Sequence, residues 1–348
     1  MNIYIYIWLF IIINILSPIR MKNNNFIFSL FFIFLFFFIG LRYEIGGDWN
    51  NYSRMYYTIS KLSFTESLKF TDPAYGLLNW IAFKFSLGIV FINIICSVIF
   101  IIGLYLFSKD KFGRWLILLI AYPYLILAVS MGYTRQAAAF GFFLLSIIAL
   151  NQNKPVKFIF LILLGTLFHK TLIIFIFLLP LFIKDKKKKI NIFLSILFIS
   201  PALFLAFYEK IANQLHFYFE NELHSDGGLL RLLINIIPSV FFFIFYNRWK
   251  KLYNEDTQLI LILSLLSLLL LVFQFFASTI SDRIGLYLII LQLIIYPKIL
   301  YLIKDKVIQS IFCLSIIAIY SGMLFVWLNY SPWAQCCWIP YKNYLFDY

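Results

Sequence analysis

Long uninterrupted runs of Phe, Ile and Leu, such as 26–41 and 259–277, restrict this chain more than any other feature. A hydrocarbon core of about 30 Å is crossed by a helix of roughly 20 apolar residues. Inside lipid each backbone N–H and C=O must be bonded within the protein, which a helix achieves along its own length. The chain is 63% hydrophobic and 13% charged, whereas soluble domains run near 45–50% and about 25%. These runs predict an all-α integral membrane protein, a polytopic helical bundle forming a single polytopic domain over residues 1–348. The length accommodates about 12 spans, some of them short or re-entrant, and leaves no room for a separate soluble domain.

Apolar runs place spans near residues 2–17, 26–41, 89–107, 115–131, 134–150, 158–168, 171–183, 190–208, 229–247, 258–277, 284–303 and 307–328. The net charge of +14 then has a topological meaning, since basic residues collect in cytoplasmic loops, and no nucleic-acid partner is expected. Loops 18–25, 108–114, 151–157, 184–189, 248–257 and 304–306 hold 17 of the 29 Lys and Arg but five of the 15 acids. That asymmetry sets these loops inside. The basic flank after the first span puts the N-terminus outside. Phe158–Ile183 is long enough for one span, but one span would carry the Lys-rich run 184–189 outside. Two short segments meeting at His169-Lys170 restore the charge pattern and set His169 facing outward. The outer polar sequence then comprises 42–88, 209–228 and 329–348, with interfacial helices expected within it. Of the four cysteines, Cys96 and Cys313 lie in apolar runs. Cys336 and Cys337 are adjacent, a spacing that seldom forms an unstrained disulfide, and none has metal-ligand spacing.

Ionisable residues at membrane depth are costly and mark functional positions by default. Arg42 opens RYEIGGDWNNY, with Glu44 and Asp48 following and Gly46-Gly47 allowing a sharp turn. Arg135 lies in SMGYTRQAAAFG, between two spans with almost no loop and among small residues that let helices approach. His169 lies in GTLFHKTL, and Asp282-Arg283 in STISDRIGLYL; Arg231, just inside span 229–247, ranks second with Asp282. Each has a plain structural alternative: a snorkelling anchor for the arginines, a packed imidazole for His169, and a helix-start ion pair for Asp282-Arg283. Their shared placement on one side favours a ligand. Guanidinium pairs bidentately with phosphate oxygens, so several arginines on an outward cavity point to a phosphate-bearing ligand. No P-loop, HExxH, GxSxG or metal constellation is present, and no cofactor is expected.

Six segments in order, RYEIGGDWNNY (42–52), DPAYGLLNW (72–80), YTRQAAAFG (133–141), LFHKTL (167–172), SDRIGLYLIILQLIIYPKIL (281–300) and WIPYKNYL (338–345), resemble the EpsG-like and Wzy-type O-antigen polymerases. The resemblance implies a glycosyltransferase of the bacterial inner membrane with its active site facing the periplasm. Such an enzyme joins oligosaccharide repeat units carried on undecaprenyl diphosphate, within the lipid bilayer. A chain-length regulator and other polysaccharide-assembly proteins are implied as partners. For that chemistry Arg42, Arg135 and Arg283 are expected to hold the leaving diphosphate, where preorganised cations help most. Asp48, Glu44 and His169 are the candidates for the base that takes the acceptor hydroxyl proton.

Two other readings remain at the sequence level. An O-antigen ligase shares the substrates but ordinarily carries one large periplasmic loop, whereas the outer sequence here is split among three segments. A lipid-linked oligosaccharide flippase or other transporter would line both halves of the membrane with cations, whereas the deep ionisable residues here cluster outward.

Overall fold

A computed structural model describes residues 1–17, 24–111, 113–183 and 227–347. The expected span 190–208, the basic run 184–189 and most of the outer segment 209–228 lie outside the described residues. The described chain is helical, with one isolated bridge between Arg42 and Asn343. Among the described residues, six helices are long and apolar enough to cross a membrane, or seven if a pair bent by 78° counts as one span. Four shorter apolar helices lie where other spans are expected. The protein is therefore a helical membrane protein.

Two compact units are distinguished: Met1–Ile148, Phe160–Leu172 and Ile303–Tyr348 form unit 1, and Ala149–Ile159 and Ile173–Leu302 form unit 2. Unit 1 opens with α1 (Asn2–Leu16) and α2 (Asn25–Gly40). Three short helices follow, α3 (Trp49–Ile59), α4 (Phe64–Phe70) and α5 (Pro73–Lys84). Then come α6 (Gly88–Ser108), α7 (Arg114–Gly132) and α8 (Thr134–Asn151). Small residues set the spacing: a Cβ on Gly103 of α6 would lie 2.4 Å from the Gly141 carbonyl oxygen of α8. The two helices cross backbone to backbone, which glycine alone permits.

Helix α7 is the most enclosed element of unit 1, and it is irregular. Residues Tyr122–Val129 adopt π-helical geometry directly after Ala121, with Pro123 near the start. Proline removes an N–H and crowds the carbonyl four residues back, so the wider turn relieves it. One carbonyl of this stretch finds an outside donor: the indole N–H of Trp338 donates to the Leu127 oxygen at 3.1 Å. The Tyr122 hydroxyl in turn donates to the Tyr4 backbone oxygen of α1 at 2.9 Å.

The chain reverses where LFHKTL predicts a break. Helix α9 (Pro155–Thr166) ends, and a 3-10 helix runs over Lys170–Phe182. Within unit 1 a Cβ on Gly165 would meet the Leu172 side chain at 2.3 Å. Within unit 2 the Phe158 and Phe182 rings stand 5.4 Å apart. A straight α-helix would separate those rings by about 36 Å, at about 1.5 Å per residue, so the two arms fold back on one another. The 3-10 rise of about 2.0 Å carries 13 residues through roughly 26 Å, which compensates for a short segment.

Unit 2 contains α10 (Gly228–Ile244), α11 (Tyr246–Leu252), α12 (Asn254–Phe273) and α13 (Ser278–Leu302). Arg231, Asn235 and Ser239 recur every four residues and so form a polar seam on α10. Asn235 donates to the Gly285 oxygen at 2.8 Å and accepts from Gln292 at 2.6 Å. Ser239 meets Ser267 of α12 at 3.5 Å. Lys298, inside α13, pairs with Asp256 of α12 and lies over the Trp249 and Tyr253 rings. These bonds join helices that have no hydrophobic reason to associate in lipid.

The chain closes in unit 1 with α14 (Lys306–Tyr330) and α15 (Pro332–Cys337). The tail then lies along residues 41–46, with Tyr43 N–H to the Lys342 oxygen at 3.0 Å and Tyr344 N–H to the Leu41 oxygen at 2.8 Å. Cys336 and Cys337 are joined by a disulfide, where their spacing alone argued against one. Neighbours fix the backbone at this point, since Gly46 N–H bonds to the Cys337 oxygen at 2.9 Å.

Within unit 1, cysteines placed at 169 and 342 in a background of Ser-substituted native cysteines should react with an impermeant maleimide from the same side of the membrane. A cysteine at 109, at the far end of α6, should react from the other side. Labelling of 169 from the same side as 109 would contradict the reversal.

Candidate active site

The Arg42 end of unit 1 gathers five of the six sequence segments. Arg42 follows α2 directly and is 1% exposed. Its Nη1 donates to the Ile39 oxygen at 2.8 Å, in the last turn of α2. Its Nε donates to the Met131 oxygen at 3.1 Å, in the last turn of α7. Its Nη2 donates to Asn93 Oδ1 of α6 at 3.0 Å and to Thr134 Oγ1, the first residue of α8, at 2.7 Å. The last carbonyls of a helix lack intrahelical partners and carry the negative end of its dipole. One guanidinium satisfies two such ends and ties four helices together.

The backbone after Arg42 is shaped by the same clamp. Glu44 has φ 54° and Gly46 φ 114°. A Cβ on Gly46 would sit 2.3 Å from the Met131 oxygen, the acceptor of Arg42 Nε. Gly47 and Gly132 pack against the Trp338 ring. The segment RYEIGG thus threads between the end of α7 and the tail WIPYKNYL.

Arg135, one residue into α8, reaches outward from this clamp. Its Nη1 donates to Asp72 Oδ2 at 2.8 Å and to Thr71 Oγ1 at 3.0 Å. It also bonds the Tyr52 side chain, and its guanidinium carbon lies 6.0 Å from the Tyr52 ring centroid and 5.8 Å from that of Tyr75. Arg135 Nε is buried without a hydrogen-bond partner. Asp72 also accepts the Lys170 backbone N–H. Ala74 N–H bonds to the Leu167 oxygen at 2.9 Å, so the 166–170 reversal docks against the start of α5. His169 Nδ1 stands 2.6 Å from Thr171 Oγ1. Burial pushes the Asp72 carboxyl above the ordinary range, against the opposing pull of Arg135 and Lys170.

The remaining candidates are placed differently. Glu44 forms an exposed ion pair with Lys342 at 2.7 Å. Asp48 precedes α3 and accepts from Asn51 at 3.2 Å. Arg231, Asp282 and Arg283 belong to unit 2. There Arg231 Nε and Nη2 grip both Asp282 oxygens at 2.7 and 2.8 Å, while Arg283 occupies the last turn of the Ser278–Gly285 stretch. Among the described residues, no three His, Cys, Asp or Glu side chains stand close enough to hold a metal ion.

Asp72, Tyr52, Tyr75 and Asn93 complete the cluster, and sequence reasoning did not single them out. Asp72 precedes Pro73, the usual pattern for a helix start, which hides any other role. Tyr52 and Tyr75 fall among 23 tyrosines, set apart only by their place in RYEIGGDWNNY and DPAYGLLNW, which gives them no role. A model of the EpsG family matches residues 25–343, a range that takes in every residue of this cluster. No curated protein and no solved structure matches the chain.

Arg42→Lys should destabilise the chain by about 3 kcal/mol or more, because an ammonium has too few donors for four acceptors and hydrogen bonds to charged groups contribute about 1.5–3 kcal/mol each. Gly46→Ala should cost on the order of 1–3 kcal/mol through its backbone strain alone. Thermal melting of the purified variants in detergent checks both. Melting at the wild-type temperature would show that the clamp contributes little.

Proposed function

The chain belongs to the EpsG family, and on that premise we propose that it is an O-antigen-type polysaccharide polymerase. It works in the bacterial inner membrane and joins undecaprenyl-diphosphate-linked repeat units at the periplasmic face. The observation that carries this reading is Arg135, a half-buried cation with an unfilled donor, set beside two tyrosine rings and a carboxylate.

In the reaction, the acceptor hydroxyl of one lipid-linked unit attacks the anomeric carbon of the growing chain. The bond to the diphosphate oxygen breaks, and negative charge collects on the departing lipid diphosphate. A fixed guanidinium at that oxygen stabilises the transition state more than the ground state. Arg135 takes this role. Arg42, whose donors go to Ile39, Met131, Asn93 and Thr134, positions the helix ends that present Arg135. Arg283 remains a proposed phosphate contact of unit 2. Tyr52 and Tyr75 offer aromatic faces of the kind that pack on sugar rings. A chain-length regulator is a proposed partner.

The reading is tested on surface polysaccharide from a deletion strain and its complemented parent. The ladder of the parent should collapse to core plus a single repeat, and the wild-type gene should restore it. Complementation with Arg135→Ala at equal protein level should lower polymerisation about 10²-fold or more, the usual cost of losing a transition-state donor. Loss of every repeat would favour a ligase or a flippase, and an unchanged ladder would remove the assignment for that polymer.

A further inference from the structure

Asp72 opens α5 in the position where a carboxylate ordinarily caps a helix, yet it makes no side-chain bond to the N–H groups of α5. Its carboxylate turns to Arg135 and to the Lys170 N–H instead, with 11% of the side chain exposed. Local helix stability therefore does not account for it.

The pairing is also incomplete. Arg231 and Asp282 of unit 2 meet through two prongs, Nε and Nη2, as an arginine–carboxylate pair does when it serves as a fixed strut. Arg135 offers Asp72 one nitrogen, Nη1, and its buried Nε has no partner. A guanidinium engaged through one nitrogen exchanges its partner more readily than one gripped through two. A diphosphate brings more oxygens and more charge than a carboxylate and fills the fork bidentately.

We propose that Asp72 is the catalytic base of this site, held by Arg135 until a lipid diphosphate takes its place on the guanidinium. The inference rests on the polymerase reading. Once displaced, the Asp72 carboxylate no longer pairs with Arg135 and is free to take up a proton beside the site. The acceptor oxygen forms its bond to the anomeric carbon, and the carbon–oxygen bond to diphosphate breaks. The electron pair stays on the diphosphate beside Arg135, and the acceptor proton passes to the Asp72 carboxylate and then to water. Burial, which raises the proton affinity of Asp72, makes it a stronger base than an exposed carboxylate.

The test uses the purified full-length chain, wild type, Asp72→Asn and Asp72→Glu. Binding of undecaprenyl diphosphate is measured apart from its release from lipid-linked repeat units, which are extracted from a strain lacking this gene. Asp72→Asn should bind undecaprenyl diphosphate at least as tightly as wild type, because a competing anion is gone. Its turnover should fall about 10²-fold or more, the usual contribution of a general base. Asp72→Glu should keep both binding and a measurable turnover, and it serves in place of the Asn variant if that one does not fold. Weakened binding in step with lost turnover would mark Asp72 as a scaffold for Arg135 and overturn the proposal. Unchanged turnover in Asp72→Asn, or turnover lost in Asp72→Glu while binding is kept, would place the base elsewhere. Failure of the polymerase reading looks different: the wild-type chain itself then releases no diphosphate, and the base assignment falls with it.

Discussion

One buried guanidinium holds one end of unit 1 together. Arg42 meets the closing carbonyls of α2 and α7, the amide of Asn93 on α6 and the hydroxyl that starts α8. Two helix ends pointing their carbonyls at one place repel each other unless a cation lies between them. With Arg42 there, α7 can stop at Gly132 and α8 can start at Thr134 with almost no loop. That economy of chain is what fixes Arg135 relative to Asp72, Tyr52 and Tyr75. The tail of the chain then covers the clamp, through the bridge at Asn343 and the Trp338 indole.

The Arg231–Asp282 and Arg135–Asp72 pairs are built differently. In unit 2 the Arg231–Asp282 pair is bidentate and the Asn235–Gln292–Gly285 bonds are mutual, as suits groups that join helices. In unit 1 the Arg135 fork is partly filled, and a carboxylate positioned to cap a helix is drawn to it. Satisfied polar groups specify packing, while under-satisfied ones cost stability and persist where a ligand completes them. Its open Nε and its one-pronged hold on a carboxylate set Arg135 apart from Arg231.

Helices were legible in the sequence because apolar runs of span length admit little else in lipid. Charge asymmetry led to the reversal at His169-Lys170, since a single span over 158–183 would carry five lysines of 184–189 to the wrong side. Arg135 stood out through its depth between two spans. The role of Arg42 did not: sequence shows a cation after an apolar run, and only the assembled helix ends reveal four acceptors waiting for it. Asp72 was masked by Pro73, and the Cys336–Cys337 bond by the rule that adjacent cysteines seldom pair. The full count of spans was illegible for another reason. Short segments cross or re-enter according to their packing, and hydropathy does not encode packing.

On the proposed reading, a lipid diphosphate is held by Arg135 at the Arg42-clamped end of unit 1. An experimental structure of the full chain with undecaprenyl diphosphate bound decides it. Phosphate oxygens should then lie within hydrogen-bond reach of Arg135 Nε and Nη1, beside the Tyr52 and Tyr75 rings, with Asp72 released. Diphosphate bound elsewhere, with Arg135 still paired to Asp72, would contradict it.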